Sequence, residues 1–176
     1  MSFIQSEIGV NFLLSWLYQH TEGMSGVVDM GAGDCHQLKN VHRDVRNKVG
    51  IDVFQPSLEK CLSPEIQKIL GDFLYYRGLI SLADFPCAMF IDTIEHVEKA
   101  QAQKLLIQCQ EDFQRVLIFT PLGENPQDTI DGNNYQKHLS TWFPEDLKDL
   151  GFQLVLIYPF FHTNTSGAIL ARWDRA

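Results

Sequence analysis

The sequence predicts an α/β protein whose sheet is mostly parallel and is covered by helices on both faces. Short apolar segments alternate with amphipathic ones along the 176 residues, which is the pattern of strands connected by crossover helices. The last two apolar segments are separated by too few residues for a crossover helix, so we expect them to pair antiparallel. A Gly-X-Gly turn follows the first predicted strand directly, where the next helix of a parallel unit should begin.

The first half of the chain gives three strands. An amphipathic segment with apolar residues at three-to-four spacing predicts a helix within residues 1–22, and a core over residues 24–176 follows it. The predicted strands are VVDM at 27–30, KVGIDVF at 48–54 and a weaker one around Ile69–Leu70. Apolar spacing predicts a helix at Leu38–Val45, a short helix or helical turn at 55–69, and a further helix near Leu74–Leu82.

The second half gives four more strands and a long polar loop. The predicted elements are the strand PCAMFID at 86–92, a helix over Asp92–Phe113, the strand RVLIFTP at 115–121, the polar loop 123–138, a short helix in FPEDLKDLG at 143–151, and two closing strands at 152–161 and 167–173. Pro144 suits the first turn of that short helix and Gly151 its left-handed end. No repeat is present, and a chain of this length suits a single domain.

Composition excludes several classes of function. The 14 basic and 22 acidic side chains give a net charge of −8, whereas proteins that follow a nucleic-acid backbone carry a basic field. The four cysteines form no CxxC pair, so zinc-knuckle and redox sites are excluded on spacing, and a reducing cytoplasm is the simplest compartment. No signal peptide and no segment long enough to cross a membrane is predicted. We expect no nucleic-acid partner, no membrane association and no metal site.

The turn at Gly31 and Gly33 predicts a nucleoside site. Glycine lets a backbone turn tightly and approach a ligand closely, and ligands of open α/β sheets bind at the carboxyl ends of the strands. Asp52 closes the second strand about 20 residues later, where a carboxylate can accept hydrogen bonds from both ribose hydroxyls. A dinucleotide fingerprint needs a third glycine where His36 stands, and no phosphate-binding P-loop is present. A nucleoside without phosphates therefore fits better.

Five segments in order resemble those of class I S-adenosylmethionine-dependent methyltransferases, over nearly the whole chain from Gly26. They are VVDMGAG, GIDVFQPSLEKC, GDF at 71–73, FIDTIEHVEK with its D-x-x-E-H pattern, and the closing HLSTWFPEDLKDLGFQLVLI. Cys35 departs from the third glycine that many relatives carry. The resemblance implies a Rossmann-like three-layer sandwich with a seven-stranded sheet in the order 3-2-1-4-5-7-6, strand 7 being antiparallel. It also implies S-adenosylmethionine as cofactor.

The same resemblance implies a set of cofactor-binding residues. It gives Asp29 a role in orienting the methionine amino group, Asp52 the ribose, and Asp72 with Phe73 the adenine. The full expected set is Asp29, Gly31, Ala32, Gly33, Asp52, Val53, Asp72, Phe73, Asp92 and Ile94. Plainer interpretations stay open for several members: Asp72 can cap a helix, and Asp92 with Glu95 forms the pattern of a capping box.

The catalytic candidates are His96, His138 and Tyr135. A histidine can act as a general base at neutral pH, and the polar loop 123–138 is long enough to form an active-site lid or a substrate wall. The expected reaction is methyl transfer to an O, N or C nucleophile of a small molecule. A non-catalytic binding module and an NAD-dependent oxidoreductase remain as alternatives.

Overall fold

The computed structural model describes residues 2–130, 132–159, 161 and 167–176, with the backbone alone for residues 2–9. One sheet of seven strands runs through it in the order β3-β2-β1-β4-β5-β7-β6. The strands are β1 (Gly26–Met30), β2 (Asn47–Asp52), β3 (Ile66–Leu70), β4 (Cys87–Ile91), β5 (Arg115–Pro121), β6 (Leu154–Tyr158) and β7 (Ala168–Asp174). Strand β7 pairs antiparallel with both β5 and β6, and the other pairs are parallel. The predicted order and the reversed strand are confirmed.

Apolar residues cover both faces of this sheet because successive side chains of a strand point to opposite sides. Within the described residues the α-helices are α1 (Ser2–His20), α2 (Gln55–Leu58), α3 (Lys99–Asp112) and α4 (Pro144–Asp149). Leu17 of α1 packs in the core on one face with Val27 and Met89, and Leu106 of α3 packs on the other with Val28 and Phe90. Helix α1 confirms the predicted N-terminal helix, although the side chains of Ile4 and Ile8 lie outside the described residues. No helix in the described part of the chain is long and apolar enough to cross a bilayer.

Two predicted helices are instead replaced by short stretches of 3-10 helix. The apolar spacing at Leu38–Val45 corresponds to a 3-10 turn at Gln37–Asn40, after which Val41 is extended and the amide of His42 donates to Thr21 Oγ1 at 2.7 Å. Leu38, Val41 and Val45 are nevertheless buried. The segment predicted near Leu74–Leu82 forms 3-10 turns at Phe73–Gly78 and Leu82–Asp84. Helical spacing marked the buried positions of the first segment correctly, whereas Leu74 and Leu82 of the second are only partly buried.

The helix predicted over Asp92–Phe113 is shorter at its start. Asp92 has a positive φ of 49°, so the backbone after β4 does not enter a helix at this residue. A 3-10 turn at Ile94–His96 follows. Helix α3 begins only at Lys99, with Glu98 as its N-cap residue. The capping-box interpretation of Asp92 and Glu95 is therefore wrong. The short helix α4 is as predicted, with Pro144 in its first turn and Gly151 at φ 83° just beyond its end.

Candidate functional site

A cleft opens at the carboxyl ends of β1, β2 and β4, where ligands of open α/β sheets bind. Its walls come from the turn after β1, from residues after β2 and β3, from residues after β4, and from the polar loop. The lining residues are Gly31, Asp52, Val53, Phe73, Asp92, Thr93, His96, Asn133, Tyr135 and Gln136. Six of the predicted cofactor and catalytic residues other than glycine are thus brought to one place: Asp52, Val53, Phe73, Asp92, His96 and Tyr135.

The turn after β1 is fixed to β2 by its own backbone. The amides of Gly31 and Ala32 both donate to the carbonyl of Ile51, at 2.8 and 3.0 Å. Gly31 has φ 80°, and a Cβ built on it would lie 2.6 Å from Cγ2 of Thr93. Gly33 has φ 53° but has nothing within 4 Å of a built Cβ. Glycine is therefore required at position 31 for conformation and for space, and at position 33 for conformation alone.

Asp52 connects the turn to the end of β2. Its Oδ2 accepts a hydrogen bond from the amide of Gly33 at 2.8 Å, and its Oδ1 accepts one from the amide of Phe54 at 2.7 Å. A carboxylate has about four lone-pair sites, so each oxygen retains capacity for a further donor. Asp52 thus holds the turn in shape while it presents acceptor sites to the cleft.

Asp29 is a buried carboxyl beneath the turn, only 1 % exposed. Its Oδ1 has no hydrogen-bond partner among the residues that the structure describes. Burial, and secondly the charges of Asp52 and Asp34, raises the pKa of this carboxyl well above its ordinary value. A buried acceptor without a donor is costly, so this position suits a cationic or hydrogen-bonding group from outside the chain.

The walls after β3 are partly structural. Phe73 lines the cleft and contacts Phe90 edge to face, with ring centroids 6.2 Å apart. Asp72 accepts a hydrogen bond from the amide of Leu74 at 2.9 Å and so caps the 3-10 turn, as one of the two interpretations predicted.

Five of the expected cofactor residues are not among the lining residues of the cleft: Asp29, Ala32, Gly33, Asp72 and Ile94. Ile94 is completely buried in the core beside α3, and Ala32 is buried on the α1 side of the sheet. Each of the two follows a lining residue in sequence, Ile94 after Thr93 and Ala32 after Gly31. Gly33 lies at its rim with open space where a side chain would be.

The polar loop covers the cleft. Asn133, Tyr135 and Gln136 form its outer wall, and the loop is attached below by amides of Leu139 and Ser140 that donate to the carbonyl of Glu95 at 2.8 and 3.0 Å. The enclosed space is about 40 Å³, whereas small-molecule pockets commonly measure about 300–1000 Å³. Space for a nucleoside therefore requires displacement of the segment around Tyr135, whose side chain is 60 % exposed.

The two predicted histidines are neighbours although the loop separates them in sequence. Their ring centroids lie 4.9 Å apart. His96 Nδ1 is 3.2 Å from the carbonyl oxygen of Lys137, and His138 Nδ1 contacts that of Asn125. Burial is the main cause that lowers the pKa of His96, so its ring is neutral at physiological pH. His138 lines a second, open groove beside the cleft rather than the cleft itself.

Three residues in or beside the cleft were not among the site residues predicted from the sequence. Thr93 packs against Gly31 and fixes the turn, Asn133 is buried at the outer wall, and Glu95 is buried beside His96. Thr93 and Glu95 lie inside the D-x-x-E-H pattern, which was the available signal. Nothing in the sequence around Asn133 distinguishes it from its polar neighbours.

Comparisons with solved structures identify the fold. A SAM-dependent methyltransferase from Archaeoglobus fulgidus superposes with a TM-score of 0.67 at 16 % identity, over 96 % of this chain and 94 % of that one. The N-terminal domain of EvdMO1 with SAH bound superposes with a TM-score of 0.62 at 13 % sequence identity, over 98 % of this chain and 81 % of that one. The small RNA methyltransferase HEN1 superposes with a TM-score of 0.65 at 17 % sequence identity, over 97 % of this chain but only 25 % of that one. No protein-family model and no curated protein sequence matches the chain. The chain has the class I S-adenosylmethionine-dependent methyltransferase fold.

Proposed function

We propose that this chain is a methyltransferase that uses S-adenosylmethionine and transfers its methyl group to an O, N or C nucleophile of a small molecule. The observation that carries this proposal is the junction of Gly31, Gly33 and Asp52 at the carboxyl ends of β1 and β2. In a methyltransferase fold this junction is where backbone amides and a carboxylate meet the adenosyl group.

The expected cofactor residues have distinct parts in this proposal. Asp52 would accept the ribose hydroxyls, since its oxygens retain lone pairs after binding Gly33 and Phe54. Phe73 and Val53 would pack against the adenine and Asp72 would lie near its amino group. Asp29, whose Oδ1 has no donor among the described residues, would receive the amino group of the methionine moiety. Gly31, Ala32, Gly33, Asp92 and Ile94 would contribute backbone contacts along the same edge.

The reaction needs alignment more than acid–base groups. S-adenosylmethionine supplies a methyl group on a sulfonium that is already a good leaving group. Holding acceptor and donor in line can lower the barrier by about 7–11 kcal/mol. A general base adds about 10²–10⁴-fold where the acceptor must lose a proton. His96, His138 and Tyr135 are the candidates, and a neutral His96 is in the protonation state that a base requires.

The loop must open before a nucleoside enters, because the cleft as it stands encloses about 40 Å³. We infer that the segment from Asn133 to Gln136 acts as the lid over the bound cofactor. Closure of such a lid would exclude water from the reacting groups.

Charge supports a small-molecule acceptor. The net charge of −8 opposes the approach of a polyanion. The groove that His138 shares with Glu124, Ser140 and Asp146 is about 600 Å³, which is in the range of small-molecule pockets.

The fold weighs against the NAD-dependent alternative. A dinucleotide-binding sheet has the order 3-2-1-4-5-6, whereas β7 here lies reversed between β5 and β6. Only a measurement of turnover distinguishes the non-catalytic binding module from an enzyme.

Calorimetric titration of the full chain with S-adenosylmethionine, S-adenosylhomocysteine and NAD tests the proposal. We expect both sulfur nucleosides to bind and NAD not to bind. Binding of NAD without a response to either sulfur nucleoside would reject it. Binding without methyl transfer to any member of an acceptor panel of catechols, phenols, amines and sugars would favour the binding module.

We also propose that the chain is a single domain and is cytoplasmic. One continuous sheet supports the first proposal. Four free, buried cysteines support the second, because disulfides are rare in reducing compartments. Limited proteolysis and cell fractionation test the two proposals separately.

A further inference from the structure

Three potential metal ligands meet between the cleft and the groove. Glu95 and His96 belong to the 3-10 turn after β4, and His138 belongs to the end of the polar loop. One ligand atom from each lies within 4.8 Å of the other two. We call these residues the Glu95–His96–His138 cluster.

Glu95 has an oxygen that is buried and unsatisfied. The side chain is 3 % exposed, and its Oε2 accepts a hydrogen bond from Thr120 Oγ1 at 2.9 Å. Its Oε1 accepts no hydrogen bond from any described residue. Burial, and secondly Asp92, raises the pKa of the Glu95 carboxyl well above its ordinary value. A buried carboxylate oxygen in this state requires either a proton or a cation.

The Nδ1 atom of each imidazole contacts a backbone carbonyl oxygen. A backbone carbonyl only accepts, so Nδ1 of His96 donates to Lys137 and Nδ1 of His138 donates to Asn125. An imidazole whose Nδ1 carries the proton keeps a lone pair on Nε2 that can bind a cation. Metal-ligating histidines are oriented in this way, with the second nitrogen donating to a carbonyl or carboxylate.

The spacing within the cluster suits an ion better than direct hydrogen bonds. Glu95 Oε1 and His96 Nε2 are 4.0 Å apart, which is beyond hydrogen-bond reach. Ligand atoms that share an ion at about 2.1 Å can be separated by up to about 4.2 Å. A shift of less than about 1 Å would bring all three ligand atoms into that range.

We propose that Glu95, His96 and His138 bind a divalent transition-metal cation. Two imidazoles and one carboxylate suit Mn²⁺, Fe²⁺, Co²⁺ or Zn²⁺, and three protein ligands leave coordination positions open. Sequence spacing did not predict this site, because the third ligand comes from a loop whose path the spacing does not reveal.

The position of the cluster also narrows the chemical class of the methyl acceptor, an inference that rests on the proposed function. His96 lines the cofactor cleft and His138 lines the neighbouring groove. An open coordination position between them would take an oxygen of the acceptor and lower the pKa of its hydroxyl. The histidines would then act as ligands rather than as the general base, because one Nε2 lone pair cannot hold a metal and a proton together.

Titration of the EDTA-treated full chain with Mn²⁺, in the absence of any nucleoside, tests the site. We expect one Mn²⁺ to bind per chain. Glu95→Gln and His138→Gln should each weaken the affinity by at least about 100-fold, since even loss of a group that only orients a metal ligand costs about 10–100-fold. His36→Gln removes an exposed histidine of the glycine turn and should leave the affinity unchanged. Visible absorption of bound Co²⁺ gives the coordination number and should report nitrogen ligation both in the wild type and in His36→Gln.

Several results would overturn the inference. They are wild-type protein that binds neither Mn²⁺ nor Co²⁺ below about 1 mM, retention of affinity in either ligand variant, and an equal loss in His36→Gln. Circular dichroism in EDTA verifies that the variants are folded, and His138→Gln alone suffices if Glu95→Gln does not fold. Since no nucleoside is present, failure of this test is distinct from failure of the proposed function, which titration with S-adenosylhomocysteine in EDTA measures separately.

Discussion

Replacing Gly31 by alanine tests how the turn after β1 is built. Gly31 has φ 80°, and its built Cβ lies 2.6 Å from Thr93 Cγ2 and 3.0 Å from Thr93 Oγ1. A left-handed conformation costs an L-residue about 1–2 kcal/mol. Forcing an extra methyl group into a packed site costs about 1–3 kcal/mol. Gly31→Ala should therefore lower the free energy of unfolding by about 2–5 kcal/mol.

Gly33→Ala is the matched control in the same turn. Gly33 also has a positive φ, but its built Cβ has nothing within 4 Å. This variant should lose only the conformational part, about 1–2 kcal/mol. Urea denaturation monitored by circular dichroism, without ligand, measures both values.

A second substitution isolates the steric part. Thr93→Ala removes both atoms that a Cβ at position 31 would meet, so it should recover about 1–3 kcal/mol in the Gly31→Ala background. Equal losses in Gly31→Ala and Gly33→Ala, or no recovery by Thr93→Ala, would refute the proposed packing of the turn.

Other substitutions separate the roles of individual side chains. Asp52→Ala should weaken binding of S-adenosylhomocysteine by about 1–3 kcal/mol, roughly 5–150-fold. It should also destabilise the chain, because the amide of Gly33 loses its acceptor. Unchanged affinity in calorimetry would show that the ribose lies elsewhere. Glu95 has a raised pKa in the folded state, so its favourable contribution is complete below its unfolded pKa and is lost as pH rises. In EDTA, Glu95→Gln should thus gain stability relative to wild type from pH 4 towards pH 8, and urea midpoints with a constant difference would contradict this. Lys99→Met should lower the free energy of unfolding by about 1–3 kcal/mol, because Lys99 Nζ lies 3.9 Å from the Trp142 ring centroid and 2.6 Å from the Asp146 carboxylate. As a control, Lys104→Met at an exposed position of the same helix should change it by less than about 0.5 kcal/mol. Equal losses in the two variants would count against the contact of Lys99.

The sheet could be predicted because its signals are local. Apart from the weaker β3, the strands contain short apolar runs, and the brevity of the segment between β6 and β7 dictates their antiparallel pairing. The strand order came from the resemblance and not from periodicity. The departure from helical backbone between β1 and β2 could not be predicted. The extended conformation of Val41 depends on contacts with the end of α1, among them the hydrogen bond from the amide of His42 to Thr21 Oγ1.

The candidate site divides in the same way. Asp29, Gly31, Asp52 and Phe73 follow or close consecutive parallel strands, so strand topology alone brings them to one edge. Ile94 was expected among them, but the turn after Asp92 directs its side chain into the core. The approach of His138 to His96 and Glu95 depends on the path of a polar loop, and no sequence pattern encodes that path.

A crystal structure of the full chain grown with S-adenosylhomocysteine tests the central claim most directly. We expect the ribose hydroxyls within hydrogen-bond distance of the Asp52 carboxylate, the adenosyl group against the backbone of Gly31–Gly33, and the Asn133–Gln136 segment displaced from its present position. Density for the nucleoside at another edge of the sheet, or a cleft that stays closed at a saturating nucleoside concentration, would contradict it.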